Sequence, residues 1–572
     1  MKKKTKAILF AGSVATTQLI GLVGPGEFSW YSIAQADTGG ITFSDIAKDQ
    51  ESGITFKRVK SPRNVYAETI KHQPLFTFPA SSGAFPMKPS GAPGVAVFDF
   101  DSDGDLDMYV TNGPHEANSL YSNQLKETGK LAFIDVGVSS GAALAPLGAQ
   151  EKEEDNNGVC YGDIDNDSDE DLLVLTLSGQ NHLLENQGDG TFVDITNHSQ
   201  IGGFGANPSS CSMGDVNSDG LLDIAIANTF DNWNDNLPIG DFASAGRNED
   251  NQLLLNRGKN VFRDISQQSG IRNFKGITWA ISLVDYDLDG DIDFLTADDQ
   301  GAKPSANRGG KDLGYVRIYK NNGKAQFSDE TMKSGTNRAG AWMSLSFGDF
   351  DSNGKMDIFA SNIGDYVARA MTPIVGFPVV PGDWLSGWFL GQNKNSYDFP
   401  GVGDLKATPF GWGSAAFDYD NDGNTDIVYY GGMDFGAFVD GTNPGAILHN
   451  EGNANFSRDI KALANSTNHS RRTVQGVATG DLDNNGFTDI VSVSSQDWPD
   501  FYPIMPILPP AMQFGGLFDD SAFIWPTFRS VDPQNPLLGF LWNQIDPVEG
   551  SLSVEMNSGD NGNKWVKVKT MG

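Results

Sequence analysis

The 572 residues carry 73 acidic against 40 basic side chains, a formal charge of −33. That balance excludes a nucleic-acid backbone as partner, since phosphates are bound by clustered Lys and Arg, and it favours cations instead. With 39% hydrophobic residues, 67 glycines and 27 prolines, the chain has material for a large core broken by many turns, which points to an all-β protein.

Residues 1–36 read as an export signal. Lys2, Lys3, Lys4 and Lys6 form a basic start, Ala7 to Val23 are mostly apolar, and "AQA" at 34–36 offers small residues for cleavage. The expected mature chain begins near Asp37 and is secreted or periplasmic. No later stretch has the length and apolarity of a membrane span, so it is not expected to be membrane-embedded.

A short Phe-x-Asp run follows at 43–45, and then a nine-residue unit occurs seven times: "DFDSDGDLD" from Asp99, "DIDNDSDED" from Asp163, "DVNSDGLLD" from Asp215, "DYDLDGDID" from Asp285, "DFDSNGKMD" from Asp349, "DYDNDGNTD" from Asp418 and "DLDNNGFTD" from Asp481. Successive starts lie 52 to 70 residues apart, which marks an internal repeat. Positions 1 and 9 are always Asp: Asp99 and Asp107, Asp163 and Asp171, Asp215 and Asp223, Asp285 and Asp293, Asp349 and Asp357, Asp418 and Asp426, Asp481 and Asp489. Positions 3 and 5 are Asp or Asn: Asp101 and Asp103, Asp165 and Asp167, Asn217 and Asp219, Asp287 and Asp289, Asp351 and Asn353, Asp420 and Asp422, Asp483 and Asn485. Position 6 is Gly except at Ser168.

Hard oxygen donors around a sharp turn suit Ca²⁺, with its six to eight oxygen ligands. Position 7 varies freely (Asp105, Asp169, Leu221, Asp291, Lys355, Asn424, Phe487), as expected if it coordinates through its backbone carbonyl. The EF-hand reading fails, because position 12 is Val110, Val174, Ile226, Thr296, Ala360, Tyr429 or Ser492 and never an acid. Each unit runs into a strand-like segment such as "LLVLTL" or "IAIAN", so each loop is predicted to turn a hairpin and to hold a structural Ca²⁺, up to seven in all.

Two more strand signals recur per unit. One is an apolar pair running into Asn, at 120–123, 183–186, 253–256, 318–321 and 447–450, with weaker forms at 390–393 and 554–557. The other is Phe-x-Asp, at 133–135, 192–194, 262–264 and 327–329, with departures at 397–399 and 456–459. Four strands in each of seven units predict a seven-bladed β-propeller. The small-residue strand entering each loop is placed innermost, and the strand at 43–45 is expected to complete the last blade and close the ring.

The seven loops together with "LENQGDGTFVDIT" at 184–196 resemble the FG-GAP or VCBS repeat propellers, a family that includes the integrin α-subunit heads. The resemblance spans roughly residues 41–557, within an expected propeller domain of 37–557, and residues 558–572 look like the start of the UnbV/ASPIC segment of cartilage acidic protein-like proteins.

The connections after the second strands, at 229–250, 298–312, 363–386, 432–445 and 495–550, lengthen the face opposite the calcium loops, as does 57–90. Trp233, Trp384, Trp388, Trp498 and Tyr502 in or beside them are candidate anchors for an extracellular or envelope protein or a glycan. The competing and preferred reading is that these inserts pack on one another and cap the channel. Cys160 and Cys211 fall on inner strands of neighbouring blades in opposite phase, which favours two buried free thiols over a disulfide while leaving the pairing open. No nucleophile elbow, phosphate loop or metal-spaced histidine pair is present. The expected function is therefore an exported calcium-binding adhesion module and not an enzyme, the alternative being a calcium-dependent polysaccharide lyase.

Overall fold

Both faces of every repeat's second strand must be covered, because its apolar residues run continuously instead of alternating. Asp171–Leu177, for example, is buried from end to end. The computed structural model shows how. It describes residues 40–61, 86–87, 91–144, 154–177, 179–202, 207–229, 237–238, 250–271, 277–299, 314–362, 386–393, 395–401, 411–431, 443–459, 461–463, 472–497, 548–559 and 561–563. Positions 1–36, read from the sequence as an export signal, the interiors of the long inserts with Trp233, Trp384, Trp498 and Tyr502, and residues 564–572 lie outside them.

Seven antiparallel sheets follow one another as blades of a propeller. Blade 1 comprises Val95–Phe98, Asp107–Val110, Ser119–Asn123 and Phe133–Asp135, paired in that order. Blades 2 to 6 repeat the pattern from Asp155, Pro208, Ile277, Ser344 and Ser414. Blade 7 takes Arg472–Gly480, Asp489–Asp497 and Val548–Asn557 from one end of the chain and Phe43–Asp45 from the other, with Phe43 opposite Asn557. The ring closes as the sequence predicts.

Among the described residues each of the seven gaps is filled by a hydrophobic cluster. In blade 2, Leu172 and Val174 pack toward blade 1 with Tyr109, while Leu173 and Leu175 pack toward blade 3 with Ile224 and Ile226. Where inner strands crowd, a side chain has no room. A Cβ on Gly476 would lie 2.7 Å from the Pro93 carbonyl oxygen of the neighbouring blade.

Cys160 and Cys211 form a disulfide, with Cα atoms 6.0 Å apart, which corrects the free-thiol expectation. Opposite phase on one sheet separates two side chains, but on consecutive blades it turns them toward each other across the shared gap. Cys211 accordingly packs in the blade 2–blade 3 cluster, while Tyr161, next to Cys160, stacks on Phe98 of blade 1.

Trp388 also corrects a sequence expectation. It is a core residue, 2% exposed, stacked on Phe456 at 4.3 Å and packed against Phe359 at 5.3 Å, and not a surface anchor. The weak signal at 390–393 is likewise displaced. The strand is Gly387–Gln392, and Gly391 takes the position that Asn holds in the other blades, its N–H donating to Asp357 Oδ1 at 2.6 Å.

Arg58, which no sequence signal singled out, is 1% exposed and pairs with Asp155 Oδ1 at 2.6 Å. It follows Lys57, which pairs with Ser551 of blade 7, so this short strand ties blade 7 to the start of blade 2.

Candidate cation-binding loops

Each nine-residue loop folds on its own carboxylates. In loop 1 the N–H of Gly104 donates to Asp99 Oδ2 at 3.0 Å, that of Asp103 to Asp101 Oδ1 at 3.3 Å, and that of Asp105 to Asp103 Oδ1 at 2.8 Å. Loops 3, 5 and 6 repeat these bonds, for example Gly220 to Asp215, Gly354 to Asp349 and Gly423 to Asp418. Position 4 is left-handed in all seven, with φ between 55° and 63° at Ser102, Asn166, Ser218, Leu288, Ser352, Asn421 and Asn484. Asn and Ser recur there because short polar side chains tolerate that region. Position 6 is left-handed as well, and Ser168 alone holds it, at φ 80°, without glycine's freedom.

The aspartate at position 9 is buried in every loop. Asp171 shows its work: Oδ2 accepts the N–H of Ile164 at 3.0 Å and Oδ1 that of Asn186 at 2.8 Å, tying the loop to the third strand. Burial pushes these carboxyls far up, Asp107 to about 8, Asp171, Asp223, Asp293 and Asp426 to about 7, Asp357 to about 6, and Asp489 well above its ordinary value. The N–H donors oppose that rise and only partly offset it.

The asparagine ending the third strand has a second role that sequence reasoning missed. Asn256 Nδ2 donates to Leu222 of its own blade at 3.1 Å and to the Ile164 carbonyl of blade 2 at 2.8 Å. Asn123, Asn186, Asn321, Asn450 and Asn557 likewise reach the position 2 carbonyls of Leu482, Phe100, Val216, Phe350 and Tyr419 in the preceding blade, all at 2.7–2.8 Å. These latches lace six of the seven gaps, and Gly391 lacks the side chain to make one in the gap between blades 4 and 5. The signal that could have exposed them is the constant apolar residue at position 2, whose buried side chain fixes that carbonyl.

The loops bring together the residues chosen from the sequence. Ligand-capable atoms lie within 4.8 Å of one another in the sets Asp99, Asp101 and Asp107; Asp163, Asp165 and Asp171; Asp285, Asp287 and Asp289; and Asp420, Asp422 and His449. Carboxylate oxygens Asp165 Oδ1, Asp287 Oδ1 and Asp293 Oδ2 are buried without a hydrogen-bond partner. A hard divalent cation fits such a donor set, since it supplies the positive charge that buried carboxylates lack. Asp105, at position 7, also bridges to the adjoining loop by accepting from Asn484 Nδ2 at 2.9 Å.

At the start of the inner strands, the end away from these loops, Trp279 and Trp412 meet edge to face at 4.9 Å, with Trp279 Nε1 donating to Asp299 Oδ2 at 3.2 Å. Both rings are partly exposed. They come from blade 4 and from the lead-in to blade 6, so sequence adjacency gave no hint of the pair. Among the described residues no helix is long and apolar enough to cross a membrane.

A family model described as FG-GAP-like repeat matches residues 163–226 and 305–360. Cartilage acidic protein 1 of Xenopus tropicalis is 27% identical over 303 residues, 51% of this chain and 41% of that protein. Its Homo sapiens counterpart is 25% identical over 309 residues, 51% of this chain and 40% of that protein. The chain thus spans less than half the length of these relatives. A solved Agrocybe aegerita lectin, described as recognising non-reducing terminal N-acetylglucosamine, aligns at 15% identity over 65% of this chain and 82% of its own, with a TM-score of 0.36, too low to argue from.

Proposed function

We propose that this seven-bladed propeller, which carries FG-GAP-like repeats and is similar to cartilage acidic protein 1, is an exported calcium-stabilised binding module that presents its ligand surface on the face opposite the loops. One observation carries the calcium part: seven loops each bury a position 9 aspartate beside further acidic or amide donors. Carboxylates at positions 1, 3, 5 and 9, helped by Asn217, Asn353 and Asn485, would hold the ion, with the carbonyls of position 7 completing the set. Bound Ca²⁺ supplies charge compensation there. The chain's own atoms already shape each hairpin, and an oxygen accepting one N–H keeps a lone pair for the cation.

The loops and latches commit the calcium face to holding blades together, which leaves the other face for recognition. Trp279 and Trp412 support that assignment, since paired aromatic rings at the axis offer a stacking surface to a sugar or an apolar side chain. Screening glycans and extracellular proteins against the calcium-loaded chain, with Trp279→Ala and Trp412→Ala in parallel, tests this reading. Capture that both substitutions weaken at unchanged fold supports it. Capture that ignores both tryptophans refutes the axial placement, and release of unsaturated sugar ends from a polysaccharide would replace the binding role with a catalytic one.

A further inference from the structure

The seven loops are not chemically equivalent, because in blades 4 and 6 the residue just before the third-strand asparagine brings a nitrogen-bearing side chain to the loop carboxylates. In blade 4 it is Lys320, whose Nζ bonds both Asp287 and Asp289 of the loop, the latter at 2.7 Å. In blade 6 the same register holds His449, next to Asn450. His449 is 6% exposed, and its Nδ1 lies 3.8 Å from Asp420 Oδ2 and 3.3 Å from Asp426 Oδ1. That nitrogen is buried and makes no hydrogen bond, although its ring is held edge-on against Tyr419 at 5.9 Å. Asp426 Oδ1 already accepts the Asn450 N–H at 2.7 Å. A donor nitrogen and the carboxylates of Asp420 and Asp422 therefore face one point within 4.8 Å of one another.

We infer that loop 6 is a mixed nitrogen–oxygen site for a transition dication of the Zn²⁺ class, distinct from the all-oxygen loops. Ca²⁺ is a hard ion that takes oxygen ligands, whereas neutral imidazole suits Zn²⁺ and its neighbours, and carboxylates serve both. Nδ1 is then a nitrogen ligand for such a metal, held from one side by buried Asp420, Asp426 and His449, while Asp422 is exposed and gives the ion its entry from solvent. Lys320 marks the contrast. It brings an ammonium to the equivalent position and offers no lone pair, so loop 4 gains a resident positive charge and not a nitrogen ligand.

The inference rests on the reading that these loops hold cations, and the test separates the two. The chain is dialysed in millimolar Ca²⁺ against micromolar Zn²⁺, and both metals are counted, for the wild type and for His449→Ser. The expected result is one Zn²⁺ retained against excess Ca²⁺ and lost in the variant, with bound Ca²⁺ undiminished. Because the substitution is buried, a second readout uses the wild type alone: ¹¹³Cd NMR should show one resonance shifted into the nitrogen-ligated range beside all-oxygen signals. Zn²⁺ retained equally by the variant, or a cadmium spectrum with only all-oxygen signals, overturns the inference while leaving calcium binding intact. A chain that binds no Ca²⁺ yet keeps a His449-dependent Zn²⁺ sustains the inference and overturns the calcium reading.

Discussion

Substituting Asn321→Ala removes one latch while leaving the backbone ladder in place. The side chain is 3% exposed, and its Nδ2 donates to the carbonyls of Val216 at 2.7 Å, in blade 3, and Ile292 at 2.8 Å. Its Oδ1 accepts the N–H of Asn322 at 2.8 Å. The Asn321 N–H bond to Asp293 Oδ1 survives in the variant. Three lost bonds at about 1 kcal/mol each give about 3 kcal/mol, and the Val216 carbonyl, which also accepts the Ala325 N–H at 3.1 Å, keeps that partner and adds no orphaned acceptor to the cost. Urea unfolding at fixed Ca²⁺ should show a lower midpoint at unchanged slope, and hydrogen exchange should quicken first where blades 3 and 4 meet. A change below about 0.5 kcal/mol would refute the claim that these asparagines join the blades, since it would mean that the carbonyls find equivalent partners without them.

Reduction, or the pair Cys160→Ser and Cys211→Ser, opens a loop of 51 residues, for which chain entropy gives a loss of about 4 kcal/mol. A non-reduced peptide map of the chain purified without reductant should contain the linked peptides, and free thiols there would contradict the pairing. Trp388→Ala should cost about 3–5 kcal/mol in urea unfolding, as expected of a buried ring, without altering ligand capture by the folded protein. Metal-free protein should grow more stable as pH falls from about 8 to about 5. Folding raises the position 9 carboxyls from 3.8 to between about 6 and about 8, so the folded chain binds more protons than the unfolded one across that window and loses stability as pH rises through it. Thermal melts in EDTA at several pH values check the sign, and a melting temperature that instead falls steadily on acidification would be against it.

The loops were legible because their chemistry depends on side-chain type at fixed positions, and each constraint leaves a letter in the sequence. Asp at positions 1 and 9 and Gly at position 6 could be read directly, and with the strand signals they led to the blade count and to closure by Phe43–Asp45. What escaped were relations between blades. The latch asparagines were visible as strand ends, but their partners are backbone carbonyls, which carry no residue signature. The cysteines were misread because strand phase was applied within one sheet when the relevant geometry lies between two. Trp388 was misplaced because it sits only a few residues past an insert, inside a strand whose start the Pro- and Gly-rich sequence before it obscured. Arg58 and Asp155, 97 residues apart, form a pair that only the closed ring brings together.

Calcium as the ion that stabilises the ring is tested most directly by counting bound Ca²⁺ on the purified chain and melting it in EDTA and in millimolar Ca²⁺. Several bound ions and a large upward shift are expected, since each site held at about 100 times its Kd adds roughly 2.7 kcal/mol if the unfolded chain does not bind. Identical melts with no bound calcium would contradict that role and reduce the seven loops to acidic turns held by their own hydrogen bonds.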